Sequence, residues 1–392
     1  MKKFIEYTQH LLNPGKKSDF PVKKEFDYTV GFIQPEMGNM EGIYRTLMPS
    51  MYLTTETTIR CIPVGITIYQ DSLSINQKEI LLRKEFAQAC NHIVLPFTSL
   101  SQEENIKNLK EHNPKLKFSY YIDYNYYFMP DSYPFVNEFG GAENIANIEK
   151  NIVLVDQVIV TNNSLRNFLL FELSKKEHIK GCKTIISYQP LFFDKGFTEN
   201  ITLVENKKRK KVRFAMVLNK THFSDISFIK GILKELLKKH SGEIELVVLG
   251  WNGDHQGKNY LESLNIEYHE SIKFFDYFNK LNELDVDCFI IPGKVNKFNE
   301  TSRNYIKYIE FTRIGKPVIC PDFEPYKSII AHNDNGILCG DKESWLHELE
   351  TFLSDRNKFE VIKDRAFNNV LDYEISEVDN IKKLMDIYEL RD

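Results

Sequence analysis

The sequence lacks long apolar runs, a dominant charge sign and clustered cysteines. No stretch approaches the roughly 20 apolar residues that a membrane helix needs. Lys and Arg number 51 and Asp and Glu number 55, and this net charge of −4 offers no overall field for nucleic acid. The 6 Cys form no Cys-x-x-Cys pair, which argues against a disulfide framework or a structural zinc and is typical of reduced cytosolic thiols. We therefore expect a cytoplasmic protein without a metal site or a nucleic-acid partner.

The signatures of several common enzyme classes are also missing. The sequence contains no HExxH, GxSxG, P-loop or GxGxxG motif, so it lacks the chemistry of metalloproteases, serine hydrolases, P-loop NTPases and dehydrogenases. The charged start of the chain does not read as a signal peptide. With 42% hydrophobic residues over 392 positions, the composition indicates a globular chain of about two domains.

Apolar strand-like runs alternate with helical stretches along both halves of the chain. Strands are predicted at Tyr28–Ile33, Ile59–Val64, His92–Pro96, Lys117–Ile122, within Val153–Val160, and at Val212–Leu218, Ile244–Gly250, Val286–Pro292, Gly315–Cys320 and Gly336–Cys339. Helices are predicted at Ile43–Leu53 with a kink at Pro49, at Gln102–His112, after a Ser164 cap, at Phe228–His240 and at Arg303–Arg313. Strands that alternate with helices indicate parallel sheets covered on both faces. The predicted fold class is α/β with two Rossmann-like domains.

Charge patterning indicates where the two domains separate. Five consecutive cationic residues occupy Lys207–Lys211, and their mutual repulsion makes them poor core material. We interpret them as the end of a linker, with contact with anionic lipid headgroups as the alternative. The predicted domains are 1–205 and 206–372, and 373–392 is predicted to be a helix that packs back on the first domain.

One stretch of the second half has the residue types that a sugar nucleotide needs. On a continuous helix, Arg303, Lys307 and Glu310 would lie on one face, because they are spaced i, i+4 and i+7. The cations would stabilise phosphate charge and the carboxylate would accept hydrogen bonds from ribose hydroxyls. The alternative is an amphipathic helix whose polar face is only solvated.

The same stretch resembles the donor-site helix of the GT-B glycosyltransferases that assemble bacterial surface polysaccharides, a glycosyltransferase family 1/4-like group. The matching elements are Lys307–Phe311, Gly315–Ile319 and Asn335–Leu338. The resemblance implies two Rossmann-like domains facing across a cleft, with Glu310 on the donor ribose. Ser302 stands where the larger retaining branch of these enzymes has a second Glu.

Further motifs with the same resemblance occur in the expected order along the chain. Thr221–Asp225 is similar to a Thr-His-x-x-Asp segment after the first strand of the second domain, and Tyr44–Pro49 is similar to a helix start whose Arg faces the cleft. The resemblance implies these site residues: Asp123, His222, Arg303 and Lys307 as catalytic; Glu310, Asn304, Ser302, Asp225 and Gly250 as donor-binding; Arg45 and Tyr44 as acceptor-side. Asp285 and Asp287 have DxD spacing, but we interpret them as residues that open a buried strand.

The resemblance implies a metal-independent hexosyltransferase that uses a nucleotide-diphosphate sugar as substrate and needs no cofactor. The acceptor would be a bacterial glycan or lipid-linked acceptor, as in O-antigen or capsule synthesis. A non-catalytic GT-B-like adaptor and a sugar-nucleotide epimerase are the alternatives. A lipid-linked acceptor would require peripheral contact with an anionic membrane, for which the N-terminal lysines are candidates; a solvated N-terminal segment is the alternative. These lysines are Lys2, Lys3, Lys16, Lys17, Lys23 and Lys24.

Overall fold

The chain divides into two compact units, each built from segments that are distant in sequence. The computed structural model describes residues 2–12, 25–34, 39–64, 84–177, 182–203, 209–250, 261 and 264–390. The first unit comprises Met1–Tyr127, Asn137–Gly196 and Glu374–Asp392, and the second comprises Phe128–Val136 and Phe197–Tyr373. Across the described ranges, none of the helices combines the length and apolar character that spanning a bilayer requires.

The division differs from the predicted one at residue 205. Phe197 already belongs to the second unit, because its ring packs against Phe274 at 4.9 Å and against Phe278 at 5.9 Å between centroids. The aromatic contact, which joins residues far apart in sequence, outweighs the charge run as a marker of the boundary.

Twelve strands and the helices that cover them form the described part of the chain. The strands are β1 (Tyr28–Ile33), β2 (Ile59–Val64), β3 (His92–Leu95), β4 (Lys117–Ile122), β5 (Gln157–Val160), β6 (Ile185–Tyr188), β7 (Val212–Val217), β8 (Ile244–Leu249), β9 (Glu267–His269), β10 (Cys288–Ile290), β11 (Val318–Pro321) and β12 (Ile337–Cys339). The α-helices are α1 (Lys2–Leu12), α2 (Met40–Gly42), α3 (Met48–Glu56), α4 (Lys84–Ala89), α5 (Glu103–His112), α6 (Val136–Phe139), α7 (Ala142–Leu154), α8 (Asn163–Ser174), α9 (Phe223–Lys239), α10 (Phe274–Glu283), α11 (Lys297–Ser302), α12 (Ile306–Arg313), α13 (Tyr326–Ile329), α14 (Lys342–Ser354), α15 (Arg356–Asn369) and α16 (Val378–Tyr388).

Each unit contains one six-stranded parallel sheet. In the first unit the strand order is β2-β1-β3-β4-β5-β6, and in the second it is β12-β11-β10-β7-β8-β9. All neighbouring strands pair in parallel, an arrangement that needs crossover connections and leaves both sheet faces covered. Each strand order reverses beside the first strand of its sheet, and ligands of such sheets bind at that reversal. The predicted α/β fold class with two Rossmann-like domains is confirmed.

The helix after β1 contains a wide turn that its sequence explains. Between α2 and α3, residues Ile43–Leu47 form a π-helical turn. The kink was expected at Pro49, but the irregular turn precedes this residue, which lies in the first turn of α3. In an α-helix the N–H of residue 49 would bond the carbonyl of Arg45, and proline has no N–H. The carbonyl of Arg45 is therefore available to other donors.

The structure corrects one predicted cap, locates one predicted strand and adds two strands that were not predicted. The helix predicted to start with a Ser164 cap is capped by Asn162, whose side chain accepts from the N–H of Leu165 at 3.1 Å. Within Val153–Val160 the first two residues end α7, and only the last four form β5. Strands β6 and β9 were not predicted, because both are short and β6 is only partly buried.

The basic run before β7 is only partly described, since Lys207 and Lys208 lie outside the described residues. Arg209 is not a free linker residue, because its Nη1 donates to Asp285 Oδ2 at 2.8 Å. Asp287 accepts from the backbone N–H of Arg213 at 2.7 Å. The two acids therefore connect the start of β10 to the start of β7.

The N-terminal residues that the structure describes form a helix with one buried face. Helix α1 buries Phe4 and Tyr7 in the first unit. Lys3 forms an ion pair with Glu56 at 2.7 Å and lies over the ring of Tyr52 at 4.9 Å. Lys2 lies on the exposed side of this helix, with its side chain 87% exposed, and it stays a candidate for lipid contact. Lys16, Lys17, Lys23 and Lys24 lie outside the described residues.

Candidate active site

The reversal of strand order in the second unit brings two distant loops together. Strand β10 pairs with β7, so their carboxyl ends lie side by side. The chain after β7 leads through a short 3-10 turn, Lys220–His222, into α9. The chain after β10 leads into α11 and α12. Predicted site residues lie on both connections, at the edge where such sheets bind ligands.

The turn after β7 fixes the imidazole of His222. Asn219 accepts from the N–H of Thr221 at 2.9 Å, and the backbone N of Asn219 lies 3.2 Å from His222 Nδ1. This is a capping box in which a histidine takes the place of the usual Glu or Gln. His222 is buried, so its ring is held in one orientation beneath the loop.

Asp225, in the first turn of α9, is a fully buried carboxylate that connects the two loops. Its Oδ1 accepts from the backbone N–H of Lys294 at 3.0 Å and from Asn299 Nδ2 at 2.8 Å. Its Oδ2 forms an ion pair with Arg303. A buried carboxylate is tolerated only with such partners. Because protein donors occupy both oxygens, we interpret Asp225 as the residue that orients Arg303.

The predicted continuous helix from Arg303 to Arg313 is wrong. Helix α11 ends at Ser302, Arg303 is extended with ψ 156, and α12 begins at Ile306. Asn304 Oδ1 accepts from the N–H of Ile306 at 3.2 Å, a local bond by which asparagine competes with helix. Arg303 and Lys307 therefore do not share a helix face, and tertiary contacts bring them to the same edge.

Those contacts tie the two cations to the loop after β7. Arg303 Nη2 donates to the carbonyl of Thr221 at 3.2 Å. Lys307 Nζ donates to the carbonyl of Val217, the last residue of β7, at 2.6 Å and lies 3.4 Å from His222 Nε2. The three predicted residues Arg303, Lys307 and His222 thus form one cluster.

Burial sets the charges of this cluster. It lowers the pKa of Lys307 to about 8, with Glu310 opposing and Arg303 adding to the shift. Burial, followed by the charges of Lys307 and Arg303, lowers the pKa of His222 well below its ordinary value. Near neutral pH the positive charge is therefore on the Arg and Lys side chains, and His222 is a neutral hydrogen-bonding group.

Glu310 lies in α12, one turn beyond Lys307. It is fully buried, and its Oε2 accepts from the hydroxyl of Tyr277 in α10 at 3.1 Å. Burial, and then the charge of Glu310, raises the pKa of Tyr277 well above its ordinary value, so the phenol stays a donor. The structure thus holds the predicted ribose-binding carboxylate in a fixed, apolar setting.

The three remaining donor-side predictions lie around the same edge. Ser302 ends α11 and Asn304 caps the turn before α12. Gly250 follows β8 with φ +104, and a Cβ there would lie 2.7 Å from the carbonyl oxygen of Leu218. Only glycine fits this close approach of the ends of β7 and β8 without strain.

In the first unit, Arg45 and Asp123 are brought together. Arg45 lies in the π-helical turn after β1, Asp123 follows β4, and their side chains form an ion pair. These two side chains are only 6% and 13% exposed, and Glu41 Oε2 lies 3.9 Å from Arg45 Nη1. Burial raises the pKa of Asp123 above its ordinary value, against the opposing charge of Arg45. Tyr44, the other acceptor-side prediction, is buried in the same turn.

Sequence reasoning did not single out four residues that hold these sites together. Asn219 caps the turn before His222 and was within reach of a search for caps. Glu41 lies four residues before Arg45, a spacing typical of helical ion pairs. Asn299 lies inside α11 and Tyr277 lies far in sequence from Glu310, and no local signal identifies these two residues. These residues are Asn219, Asn299, Tyr277 and Glu41.

The second unit combines a Rossmann-like fold with a cationic cluster, and its sequence is similar to a known family. Residues 198–369, almost the whole of the second unit, match the family described as glycosyl transferases group 1. No curated protein matches the chain. The family match indicates glycosyl transfer from a nucleotide sugar.

Solved structures show the same fold at low sequence identity. Sucrose-phosphate synthase from Thermosynechococcus elongatus is 10% identical with a TM-score of 0.63, over 92% of this chain and 98% of that one. HepE from Anabaena is 12% identical with a TM-score of 0.61, over 93% and 100%. TarM is 12% identical with a TM-score of 0.52; the match covers 76% of this chain but only 55% of TarM. The resemblance to GT-B glycosyltransferases that the motifs indicated is therefore confirmed.

Proposed function

We propose that the protein transfers a hexosyl residue from a nucleoside diphosphate sugar to a hydroxyl of a bacterial surface glycan or its lipid-linked precursor, without a bound metal. The observation that carries this proposal is the cluster of Arg303, Lys307 and neutral His222 at the strand-order reversal of the second unit. The structure of HepE was solved with UDP and glucose, so UDP-hexoses are the first donors to test.

The leaving diphosphate is the group that most needs stabilisation in this reaction. Charge develops on it as the bond to the anomeric carbon breaks, and preorganised cations lower the free energy of that state. Arg303 is held by Asp225 and Lys307 by the carbonyl of Val217, so little reorganisation is needed. In our proposal these two side chains supply the positive charge that a metal ion supplies in other transferases.

Two further roles follow from position and charge. Glu310 would accept hydrogen bonds from the ribose hydroxyls, and His222 would donate to or accept from the donor sugar or a phosphate. In the first unit, Asp123 is the base that we propose for the acceptor hydroxyl, because its raised pKa favours proton uptake. Arg45 would keep that carboxylate in place.

Release of free nucleoside diphosphate distinguishes the proposal from its alternatives. A transferase releases it only with an acceptor present, an epimerase releases none at turnover, and an adaptor shows no turnover. The adaptor is favoured by two features: Ser302 stands in place of an acidic residue, and Asn125 and Tyr126 stand in place of further acids after Asp123. Release that depends on acceptor and persists in chelator supports the proposal; strict dependence on a divalent cation contradicts its metal-independent part.

The Glu310→Gln variant tests donor binding directly. Charge-assisted hydrogen bonds contribute about 1.5–3 kcal/mol, so UDP affinity should fall about 10- to 150-fold. Glu348→Gln is the matched control, because Glu348 is also buried in the second unit, where it pairs with Lys358 at 3.4 Å. Calorimetric affinities that fall equally in both variants, or in neither, would contradict the role of Glu310.

Contact with an anionic membrane stays a prediction. Lys3 and Phe4 are engaged within the first unit, so the contact now depends on Lys2, whose side chain is 87% exposed, and on the lysines beyond α1. Co-sedimentation with phosphatidylserine vesicles at low and high salt tests it. Equal pelleting of the unchanged protein and a variant with Lys2, Lys16, Lys17, Lys23 and Lys24 changed to Gln would contradict it.

A further inference from the structure

The carbonyl of Arg45 accepts hydrogen bonds from an unusual set of side chains. Its normal helical partner is missing, because residue 49 is proline. In its place, Tyr121 Oη lies 3.1 Å from this carbonyl oxygen, Tyr388 Oη 3.2 Å and Gln189 Nε2 3.3 Å. These donors come from β4, the last residue of α16 and the chain just after β6, so three separate segments of the first unit converge on one backbone atom.

Counting protons shows that these groups act as a unit. Each phenol has one hydrogen to donate, while Gln189 Oε1 lies 2.7 Å from Tyr388 Oη and 2.8 Å from Tyr121 Oη. The two phenol oxygens also bond each other. Gln189 can give an amide hydrogen to Arg45 while its oxygen accepts from a phenol. Tyr388 therefore acts on the carbonyl of Arg45 directly, through Gln189 or through Tyr121.

Tyr388 is itself held rigidly at both ends. Its carbonyl lies 2.8 Å from His92 Nδ1, and His92 Nε2 lies 2.7 Å from the hydroxyl of Ser119. Its ring packs edge-on against Phe32 of β1 at 5.0 Å between centroids. Tyr388 is completely buried, and burial raises the pKa of its phenol well above the ordinary value, so it remains a donor. A side chain held in this way can restrict the position of the carbonyl of Arg45, which it contacts.

We propose that Tyr388 is a positioning residue for Arg45, through which the last helix of the chain holds the guanidinium against Asp123. Pro49 removes the α-helical hydrogen bond that would otherwise hold this carbonyl, and the phenol supplies another donor. This inference rests on the proposed acceptor-side role of Arg45. It extends that site to Tyr388, which lies 343 positions after Arg45 in the sequence.

Tyr388→Phe removes the phenol oxygen and keeps the buried ring. Tyr308→Phe is the matched control, because Tyr308 is a buried phenol of the second unit that donates to the carbonyl of Asn335 at 2.6 Å. If Tyr388→Phe fails to fold, Gln189→Leu is the second variant, because it removes the amide donor. Two measurements are made: amide hydrogen exchange of residues 43–53, and acceptor and donor KM.

We expect Tyr388→Phe to accelerate exchange in residues 43–53 and to raise acceptor KM about 3- to 10-fold, the effect of losing one buried hydrogen bond, with donor KM unchanged. Tyr308→Phe should change neither exchange in this segment nor acceptor KM. Unchanged exchange relative to this control would overturn the inference, whatever the activity.

Arg45→Gln separates failure of this inference from failure of the proposed function. If Arg45→Gln raises acceptor KM while Tyr388→Phe accelerates exchange without changing acceptor KM, the phenol does not position the guanidinium and the inference is overturned. If Arg45→Gln leaves acceptor KM unchanged, the acceptor-side role of Arg45 is wrong, and the inference falls with it. If the wild-type protein releases no nucleoside diphosphate, the proposed function fails, and only the exchange experiment then decides whether Tyr388 holds the turn.

Discussion

Replacing Asp225 by Asn should destabilise the second unit strongly, because it removes a buried carboxylate that forms an ion pair with Arg303. Asp225 is fully buried and the side chain of Arg303 is only 16% exposed. Removing one partner of such a pair costs about 3–5 kcal/mol, since the other charge stays buried without compensation. The amide can still accept from Lys294 and Asn299 through one oxygen, but its NH₂ group would face the guanidinium, donor against donor.

An exposed pair in the same unit calibrates this magnitude. Arg365 and Asp334 lie 2.6 Å apart with side chains 57% and 56% exposed, and exposed pairs contribute about 0–1 kcal/mol. Asp334→Asn should therefore hardly change the free energy of unfolding. Unfolding in urea is followed by tryptophan fluorescence, because both tryptophans, Trp251 and Trp345, fall in the sequence range of the second unit.

The expected loss for Asp225→Asn corresponds to a decrease in Tm of about 6–20 °C, at roughly 2–4 °C per kcal/mol for a unit of this size. Adding Arg303→Gln should recover part of the loss, because the uncompensated charge is then gone. If Asp225→Asn loses no more stability than Asp334→Asn, or if the second substitution only adds to the loss, the buried ion pair does not stabilise the unit as argued.

Two further predictions address donor binding and the edge of the sheet. Lys307 is charged below its pKa of about 8, so UDP affinity should be constant below this pH and fall by up to tenfold per pH unit above it. Calorimetry from pH 6 to 9 measures this decline. Lys307→Arg should abolish it. The same decline in that variant would assign it to another group. Gly250→Ala should cost about 1–3 kcal/mol, since alanine is strained at φ +104 and its Cβ would meet the carbonyl of Leu218. Gly242→Ala is the control in urea unfolding, because Gly242 also has a positive φ but has open space around it. Equal losses of unfolding free energy in the two variants would show that the contact with Leu218 does not destabilise the unit.

The cluster in the second unit combines fixed and variable charge. Arg303 stays charged throughout the accessible pH range, whereas the lowered pKa of Lys307 makes its charge depend on what binds beside it. An incoming diphosphate would favour the charged form of Lys307, because opposite charges raise the pKa of an amine. Donor binding is therefore expected to take up protons above pH 8, in line with the decline in affinity described above.

The sequence by itself determined most of the strands and their alternation with helices. Runs such as Val212–Leu218 and Lys117–Ile122 are mostly apolar, because strands of a parallel sheet are covered on both faces. The same local information identified Pro49 as an irregularity, since proline removes a backbone donor wherever it stands. Among the candidate site residues, Glu310, Lys307 and Arg303 were found because they lie close together in one segment.

Only the tertiary structure decided how those residues meet. Arg303 pairs with Asp225, 78 positions earlier, and sequence periodicity carries no information about such a partner. The strand order that sets β7 beside β10, the contact of Tyr277 with Glu310 and the convergence of three segments on the carbonyl of Arg45 are likewise long-range. Local patterns specify which face of an element is buried; the partner that covers it, and the charge that a buried group then carries, are fixed only when distant segments pack together.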